Sequence, residues 1–211
     1  MRTPSINNSL EASITRKRLA KYLAATGDDL DKALQLYEEN TRLSEAFYSP
    51  LQAVEVCLRN KLNVQLSGRF GSDWFQNGQP GFHPDSEQMI VDALRDLQHK
   101  PLPTDPDDVV AELKFAFWVG LIGPKYDSTL WRQCLHRAFL VRKPRSVIHG
   151  RFNALRRFRN RIMHHEPIFH RPLLQLHNEL IDSIRWMCSD TSSWAAFHSR
   201  FDEVSTTRPK L

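Results

Sequence analysis

The stretch SVIHGRFNALRRFRNRIMHHEP, residues 146–167, decides the fold class of this chain. Its apolar residues recur every three or four positions, the spacing of a helix that packs one face against a core. They are Ile148, Phe152, Leu155, Phe158 and Ile162. Pro167 cannot continue a helix, so we expect the helix to end near His165. The stretch therefore predicts an amphipathic helix over residues 146–165, with a polar and basic second face.

Helical spacing extends over almost the whole chain. Ser9 is a suitable cap for a first helix that ends near Ala25, just before Gly27, and Asp28 or Asp29 is suited to cap a second. Further helices are predicted from Ser49-Pro50 to about Leu66 and over residues 86–99, 107–121, 128–140, 172–189 and 193–201. Residues 71–86 are rich in glycine and proline and predict a loop. We predict an all-α fold, a bundle of antiparallel helices.

The chain is long enough for one full-sized core, since it has 211 residues with 41% hydrophobic side chains. We divide it into an accessory N-terminal helix in residues 1–28, a helical domain in residues 29–204 and a flexible tail in residues 205–211. The aromatic run at Phe115, Phe117 and Trp118 suits either a core or a base-stacking platform, and we favour the core.

The cysteines and the apolar segments indicate in which cellular compartment the protein is expected. Cys57, Cys134 and Cys188 are an odd number without a close pair, so neither a disulfide framework nor a zinc cluster is predicted. The N-terminus lacks the apolar segment of a signal peptide, and the apolar run at residues 115–123 is too short to span a bilayer. We expect a cytoplasmic protein without membrane association.

Positive charge is concentrated in one block. Residues 128–165 contain no Asp or Glu, although the chain as a whole carries a formal charge of only +5. The block contains Arg132, Arg137, Arg142, Lys143, Arg145, Arg151, Arg156, Arg157, Arg159 and Arg161. Such a block favours a polyanion such as nucleic acid. It could instead pair with the acidic stretch at residues 85–112 of the same chain or of a second copy.

Arg159, Asn160 and His164 are candidate catalytic residues on the predicted helix. Asn160 and His164 lie one turn apart on the polar side, whereas Arg159 lies about 140° from His164, on the flank of the apolar stripe. Three arrangements would reconcile this: the long arginine closes the gap, the helix deforms before Pro167, or the flank is a dimer interface that joins two copies of the site.

These residue types suit the cleavage of RNA without a metal or cofactor. A histidine near neutral pKa can take the proton from a ribose 2′-hydroxyl, whose oxygen then attacks the adjacent phosphodiester. Arginine stabilises the negative charge of the transition state, and Asn160 could orient the phosphate or the imidazole. The alternative is that His164 and His165 only complement the dipole at the helix end.

A zinc site of His164, His165, Glu166 and His170 is disfavoured, because Pro167 interrupts the helix that would align the ligands.

The run RNRIMHHEPI, residues 159–168, resembles the R-x4-6-H signature of the HEPN superfamily, in particular that of the bacterial Abi-like proteins. Residues 44–75 and 109–131 are also similar to that group. Together these stretches cover most of residues 30–175. The resemblance implies an all-α HEPN bundle that is usually a homodimer with a composite site, and often a metal-independent endoribonuclease in phage defence or a toxin. A cognate antitoxin or regulator is then a further possible partner.

The resemblance also assigns site residues. Arg159 matches the signature arginine, Asn160 its polar neighbour and His164 the signature histidine, although His165 also satisfies the spacing. Accessory candidates are His165, Arg161, Glu55 and Arg59. For Glu55 and Arg59 the other use is ion pairing between helices.

Two features qualify this assignment. HEPN toxins that are regulated by adenylylation carry a tyrosine two residues after the signature histidine, where this chain has Glu166. The fold also occurs in non-catalytic RNA-binding or scaffolding modules, which is the alternative function. In either case we expect RNA to contact a basic face that includes Arg151, Arg156 and Arg157.

Overall fold

The computed structural model describes residues 2–98 and 105–207. Over these ranges the chain forms eleven α-helices and no strand, which confirms the all-α prediction. They are α1 Pro4–Ile14, α2 Arg16–Ala25, α3 Leu30–Ala46, α4 Tyr48–Phe70, α5 Pro84–Leu97, α6 Pro106–Glu112, α7 Phe115–Leu121, α8 Arg145–Met163, α9 Leu173–Arg185, α10 Ser189–Phe197 and α11 Phe201–Thr206. No helix in the described ranges is long and apolar enough to cross a membrane.

Several helix ends follow directly from local sequence. The Asp29 side chain caps α3 by accepting from the backbone N–H of Lys32 at 3.1 Å. Asp105 and Asp108 form a reciprocal capping box at the start of α6. Gly71 ends α4 with a φ of 90°, a backbone conformation that other residues adopt only with strain. The starts of α3 and α6 therefore lie close to their predicted positions, whereas α4 continues to Phe70, four residues beyond its predicted end near Leu66.

Three predicted helices differ from the structure. The accessory N-terminal helix is two helices, α1 and α2, which break at Thr15 with a φ of 78°. The helix predicted over residues 107–121 is interrupted between α6 and α7, because Leu113 is extended. The helix predicted over residues 128–140 is wrong, since this segment forms short 3₁₀ and π turns. The backbone leaves the helical conformation at Cys134, which has a φ of -149°, and at Phe139, which is extended.

The main core forms around α4 and α8. The predicted stripe of α8 is buried throughout, and so are Leu51, Val54, Leu58, Leu62 and Leu66 of α4. The aromatic run of α7 lies in the same core, with Trp118 fully enclosed and its ring nitrogen donating to the carbonyl of Leu113 at 3.1 Å. The prediction that this run is core is therefore confirmed.

The N-terminal helices enclose a second, smaller core. Leu19, Tyr22 and Leu23 of α2 are buried against Ala33, Leu34 and Leu36 of α3. The Tyr22 ring also lies 5.3 Å, centroid to centroid, from the ring of Phe169, in the loop that follows α8. The accessory region is thereby packed against the end of the candidate site helix.

Candidate functional site

Helix α8 ends in a compact hydrogen-bonded cap that displays the two histidines. The N–H of Glu166 donates to the carbonyl of Arg161 at 2.8 Å, and the N–H of His165 donates to the carbonyl of Ile162 at 2.9 Å. This pair of bonds is a Schellman motif, in which the residue after the cap adopts a left-handed conformation. Here that residue is His165, with a φ of 55°. His164 and His165 are consequently held at the surface, and both are exposed.

Arg18 of α2 holds this end of the helix from outside. Its guanidinium donates to the carbonyl of His164 at 3.1 Å and also to the carbonyl of His165. A cation at a helix C-terminus complements both the unpaired carbonyls and the helix dipole. The charge that satisfies this helix end therefore comes from a distant part of the sequence.

Asn40 of α3 fixes the loop beyond the histidines. Its side-chain carbonyl accepts from the backbone N–H of Ile168 at 2.6 Å and from that of Phe169 at 3.2 Å. Asn40 is buried, and Ile168 is fully enclosed. Arg161 adds an ion pair with Glu166 at 2.9 Å. The segment that carries the histidines is thus bound from both sides.

Arg159 lies in the interface between α8 and α4. Its Nε is enclosed and lies 3.3 Å from Oε2 of Glu55, in an ion pair that is not aligned as a hydrogen bond. The predicted interhelical ion pair of Glu55 is therefore present. Arg59 differs from that expectation, because it donates to the Asn60 side chain of its own helix at 3.1 Å.

The structure brings some of the candidate residues together and separates others. Among the described residues no hydrogen bond or ion pair joins the Arg159 side chain to Asn160, His164 or His165. Helix α8 continues as far as Met163, so a helix deformation does not bring them together either. Arg159 faces α4 with a third of its side chain exposed, while His164 faces solvent. Within one chain, arginine and histidine occupy different sides of α8.

The three arginines that we assigned to an RNA-binding face differ in availability. Arg151 is occupied, since it donates to the carbonyl of Glu179 at 3.1 Å and lies 5.1 Å from the centre of the Trp186 ring. Arg156 is half-buried and donates to the Asn153 side chain. Arg157 is exposed. Of the three, Arg157 is the one whose guanidinium is presented to a ligand.

In the part of the chain that the structure describes, the ion pairs of the acid-free block are made with acidic residues outside the stretch at residues 85–112. The ion pairs that its residues make within the described ranges go to Asp127, Glu179, Glu55 and Glu166. Arg137, Arg142, Arg156 and Arg157 make no ion pair within those ranges. The block therefore keeps a surplus of positive charge at the surface, which attracts polyanions.

Two further histidines close to this helix are biased towards the neutral form. Burial lowers the pKa of His149 on α8, and Arg145, Arg156 and Arg157 lower it further. Burial also lowers the pKa of His170, again with neighbouring cations that include Arg161. A neutral imidazole is the form that can accept a proton. His170 was considered from sequence only as a zinc ligand, and among the described residues no group of three or more metal-binding side chains occurs.

Sequence reasoning missed Arg18 and Asn40. Asn40 left a detectable signal, because it occupies a core position on the face of α3 that also carries Leu36 and Leu43. A polar residue in such a stripe needs a buried partner. Arg18 left no comparable signal, since its partner carbonyls belong to a helix end 146 residues away in the chain.

Fold and site together define an all-α protein with a basic, acid-free helix that ends in two exposed histidines. Comparisons of the chain with protein-family models, with curated proteins and with solved structures find no match.

Proposed function

We propose that this protein is a metal-independent endoribonuclease of the HEPN type. The observation that supports the proposal best is the end of α8, where two exposed histidines follow a basic, acid-free helix and are held by Arg18 and Asn40. A histidine in this position can accept the 2′-hydroxyl proton while nearby arginines attract the phosphate. Attack of the 2′-oxygen on phosphorus breaks the bond to the 5′-oxygen and leaves a 2′,3′-cyclic phosphate. The role would be phage defence or toxicity in the cytoplasm, held in check by an antitoxin or regulator.

In this proposal the active unit is a homodimer. Arg159 and His164 lie on different sides of one α8, so a second copy is needed to place an arginine beside a histidine. Glu55 would then position the Arg159 guanidinium until the phosphate competes for it. His165 and Asn160 would contact the substrate from the same helix end.

The first test is cleavage of single-stranded and structured RNA in excess EDTA. We expect products with 2′,3′-cyclic phosphate ends, and loss of cleavage in Arg159→Ala and in His164→Ala. The controls are Arg185→Ala and His198→Ala, since both residues are exposed and lie away from α8, on α9 and at the end of α10. Cleavage that survives both site substitutions would rule out the proposed site.

A mixing experiment tests the composite site. Arg159→Ala and His164→Ala subunits, refolded together, form heterodimers in which one of the two sites receives both intact residues. Random mixing should therefore restore roughly a quarter of the wild-type activity if arginine and histidine come from different subunits. If both residues act within one subunit, the mixture stays inactive.

The Glu55–Arg159 ion pair favours a second candidate, a non-catalytic RNA-binding module. A guanidinium that is already paired and partly enclosed has less charge to offer a transition state. In that case His164→Ala would keep its RNA affinity and there would be no cleavage to lose. Glu55→Gln separates the candidates further. It should lower cleavage if the carboxylate positions Arg159, whereas in a simple binder it should strengthen RNA binding because it frees the Arg159 guanidinium.

A further inference from the structure

A basic groove lies at the opposite end of α8 from the histidines. It has a volume of about 550 Å³ and is formed by residues 131–143 together with the first turn of α8. Its cations are Arg132, Arg137, Arg142 and Lys143, and its aromatic walls are Trp131 and Phe139. Within the described chain this groove combines four cations with no acidic lining residue.

The cations of the groove differ in how strongly the protein itself uses them. Arg132 pairs with Asp127 at 3.3 Å, and the Lys143 ammonium lies 5.2 Å from the centre of the Trp186 ring. Arg137 and Arg142 are exposed and make no ion pair among the described residues. Two guanidinium groups are therefore free to bind an anion without first breaking a salt bridge.

The walls of the groove are fixed by the fold. The N–H of Leu140 donates to the carbonyl of Trp186, at the end of α9, at 2.7 Å. A ring nitrogen of His136 lies 2.9 Å from the carbonyl of Trp131, and Phe139 is buried. These contacts fix the backbone of residues 131–143. The guanidinium groups of the groove are therefore positioned before a ligand binds.

We propose that this groove binds the sugar-phosphate backbone of single-stranded RNA, with Arg137 and Arg142 as its main phosphate contacts. Guanidinium groups bind phosphate oxygens in a bidentate manner, and the partly exposed Trp131 ring suits the face of an unpaired base. The inference rests on the proposed RNA substrate but not on catalysis. It adds a substrate-binding site that is separate from the histidine end of α8.

One exposed side of α8 runs from the helix end that adjoins the groove to the histidines. Ser146, Gly150, Arg157 and His164 are all exposed and lie within about 40° of one another around the helix. The helix has 19 residues, so the two ends are roughly 28 Å apart. A stacked strand that rises about 3.4 Å per nucleotide covers this distance with about eight nucleotides.

The test measures RNA affinity in the full chain with His164→Ala in every arm, so that the probe is not cut. The probes are fluorescent single-stranded RNAs of increasing length, and the test variant is Arg137→Gln with Arg142→Gln. The matched control is Arg95→Gln with Arg200→Gln, which removes the same charge from exposed residues on or beside other helices. We expect the affinity of the parent His164→Ala protein to rise steeply once the RNA exceeds about eight nucleotides. The test variant should bind longer RNA roughly tenfold more weakly, and its salt dependence should fall by about 1.4 in slope, whereas the control should change little.

Three results would overturn the inference: no RNA binding at all, equal affinity of the test and control variants, or displacement of RNA by poly-glutamate at equal charge concentration. The last result would assign the groove to an acidic protein. Binding that depends on the groove, without any cleavage by the wild type, would refute the proposed catalysis and leave the groove assignment standing. If cleavage depends on Arg159 and His164 but RNA affinity does not change in the Arg137→Gln, Arg142→Gln variant, the groove assignment is refuted and the proposed catalysis stands.

Discussion

At the scale of single residues, His165 stands out because it carries a side chain in a backbone conformation that favours glycine. Its φ of 55° is required by the Schellman motif that ends α8. Histidine tolerates this region better than most residues but still pays for the contact between its Cβ and its own backbone. Glycine at position 165 would give a higher free energy of unfolding, but the surface would then lack an imidazole beside His164.

We therefore expect His165→Gly to raise the free energy of unfolding by about 0.5–1 kcal/mol, because glycine relieves this contact. Urea denaturation measures the change. His164→Gly is the control, since His164 has a φ of -89° and gains nothing from glycine. A loss of stability in His165→Gly would contradict the strain argument. The same variant also separates the two histidines, because retained cleavage would leave His164 as the base.

At the scale of helices, the site depends on contacts between elements far apart in sequence. Arg18 of α2 and Asn40 of α3 hold the backbone on either side of Glu166. Neither residue belongs to the signature stretch. The N-terminal helices thus form part of the scaffold of the site as well as a small core of their own.

Asn40→Ala should lower the free energy of unfolding by about 1–3 kcal/mol, because it removes the side-chain acceptor of the buried Ile168 N–H and of the part-buried Phe169 N–H. The loop with the histidines should loosen as well. Chemical denaturation gives the global effect, and amide hydrogen exchange at Ile168 and Phe169 gives the local one. Asn178→Ala, at an exposed position of α9, is the control. Equal effects of the two substitutions would show that the Asn40 bonds contribute nothing.

At the scale of the whole molecule, stability should depend on pH through buried histidines. His177 of α9 is buried, stacks on the Phe201 ring at 4.6 Å and shares a 2.8 Å contact between Nε2 and the Ser199 hydroxyl. Burial lowers the pKa of His177 below its ordinary value of 6.5, although Asp202 opposes this shift. The unfolded chain therefore binds a proton more readily than the folded one.

It follows that the protein loses stability as the pH falls below about 6.5 towards the lower folded pKa of His177. Above that range the imidazole is neutral in both states and the effect vanishes. Urea midpoints at several pH values from neutral to mildly acid should show the decline, and His177→Gln should make it shallower. His198→Gln is the matched control, because His198 is exposed on the neighbouring helix end and should leave the slope unchanged. An identical slope in wild type and His177→Gln would contradict this assignment.

The sequence by itself determined the fold class, the apolar stripes of α4 and α8, and the burial of the aromatic run in α7. These features follow from local spacing and from the hydrophobic effect, which act on each segment alike wherever it packs. The helix predicted over residues 128–140 failed for the opposite reason. Its 3₁₀ turn packs against α4, and the N–H of Leu140 donates to the carbonyl of Trp186, so packing overrode the local preference for a helix.

Only the tertiary structure decided how the candidate site is arranged. The sequence predicts that Arg159 lies away from His164 on the helix and suggests an interhelical ion pair for Glu55, but it does not show that these two residues are partners. It likewise gives no sign that Arg18 closes the end of α8, that Arg151 is bound to Glu179, or that residues 131–143 form a groove. Each of these depends on which distant groups meet across helix interfaces. Charge pairing acts over a few ångströms in space, and the order of residues along the chain does not specify those distances.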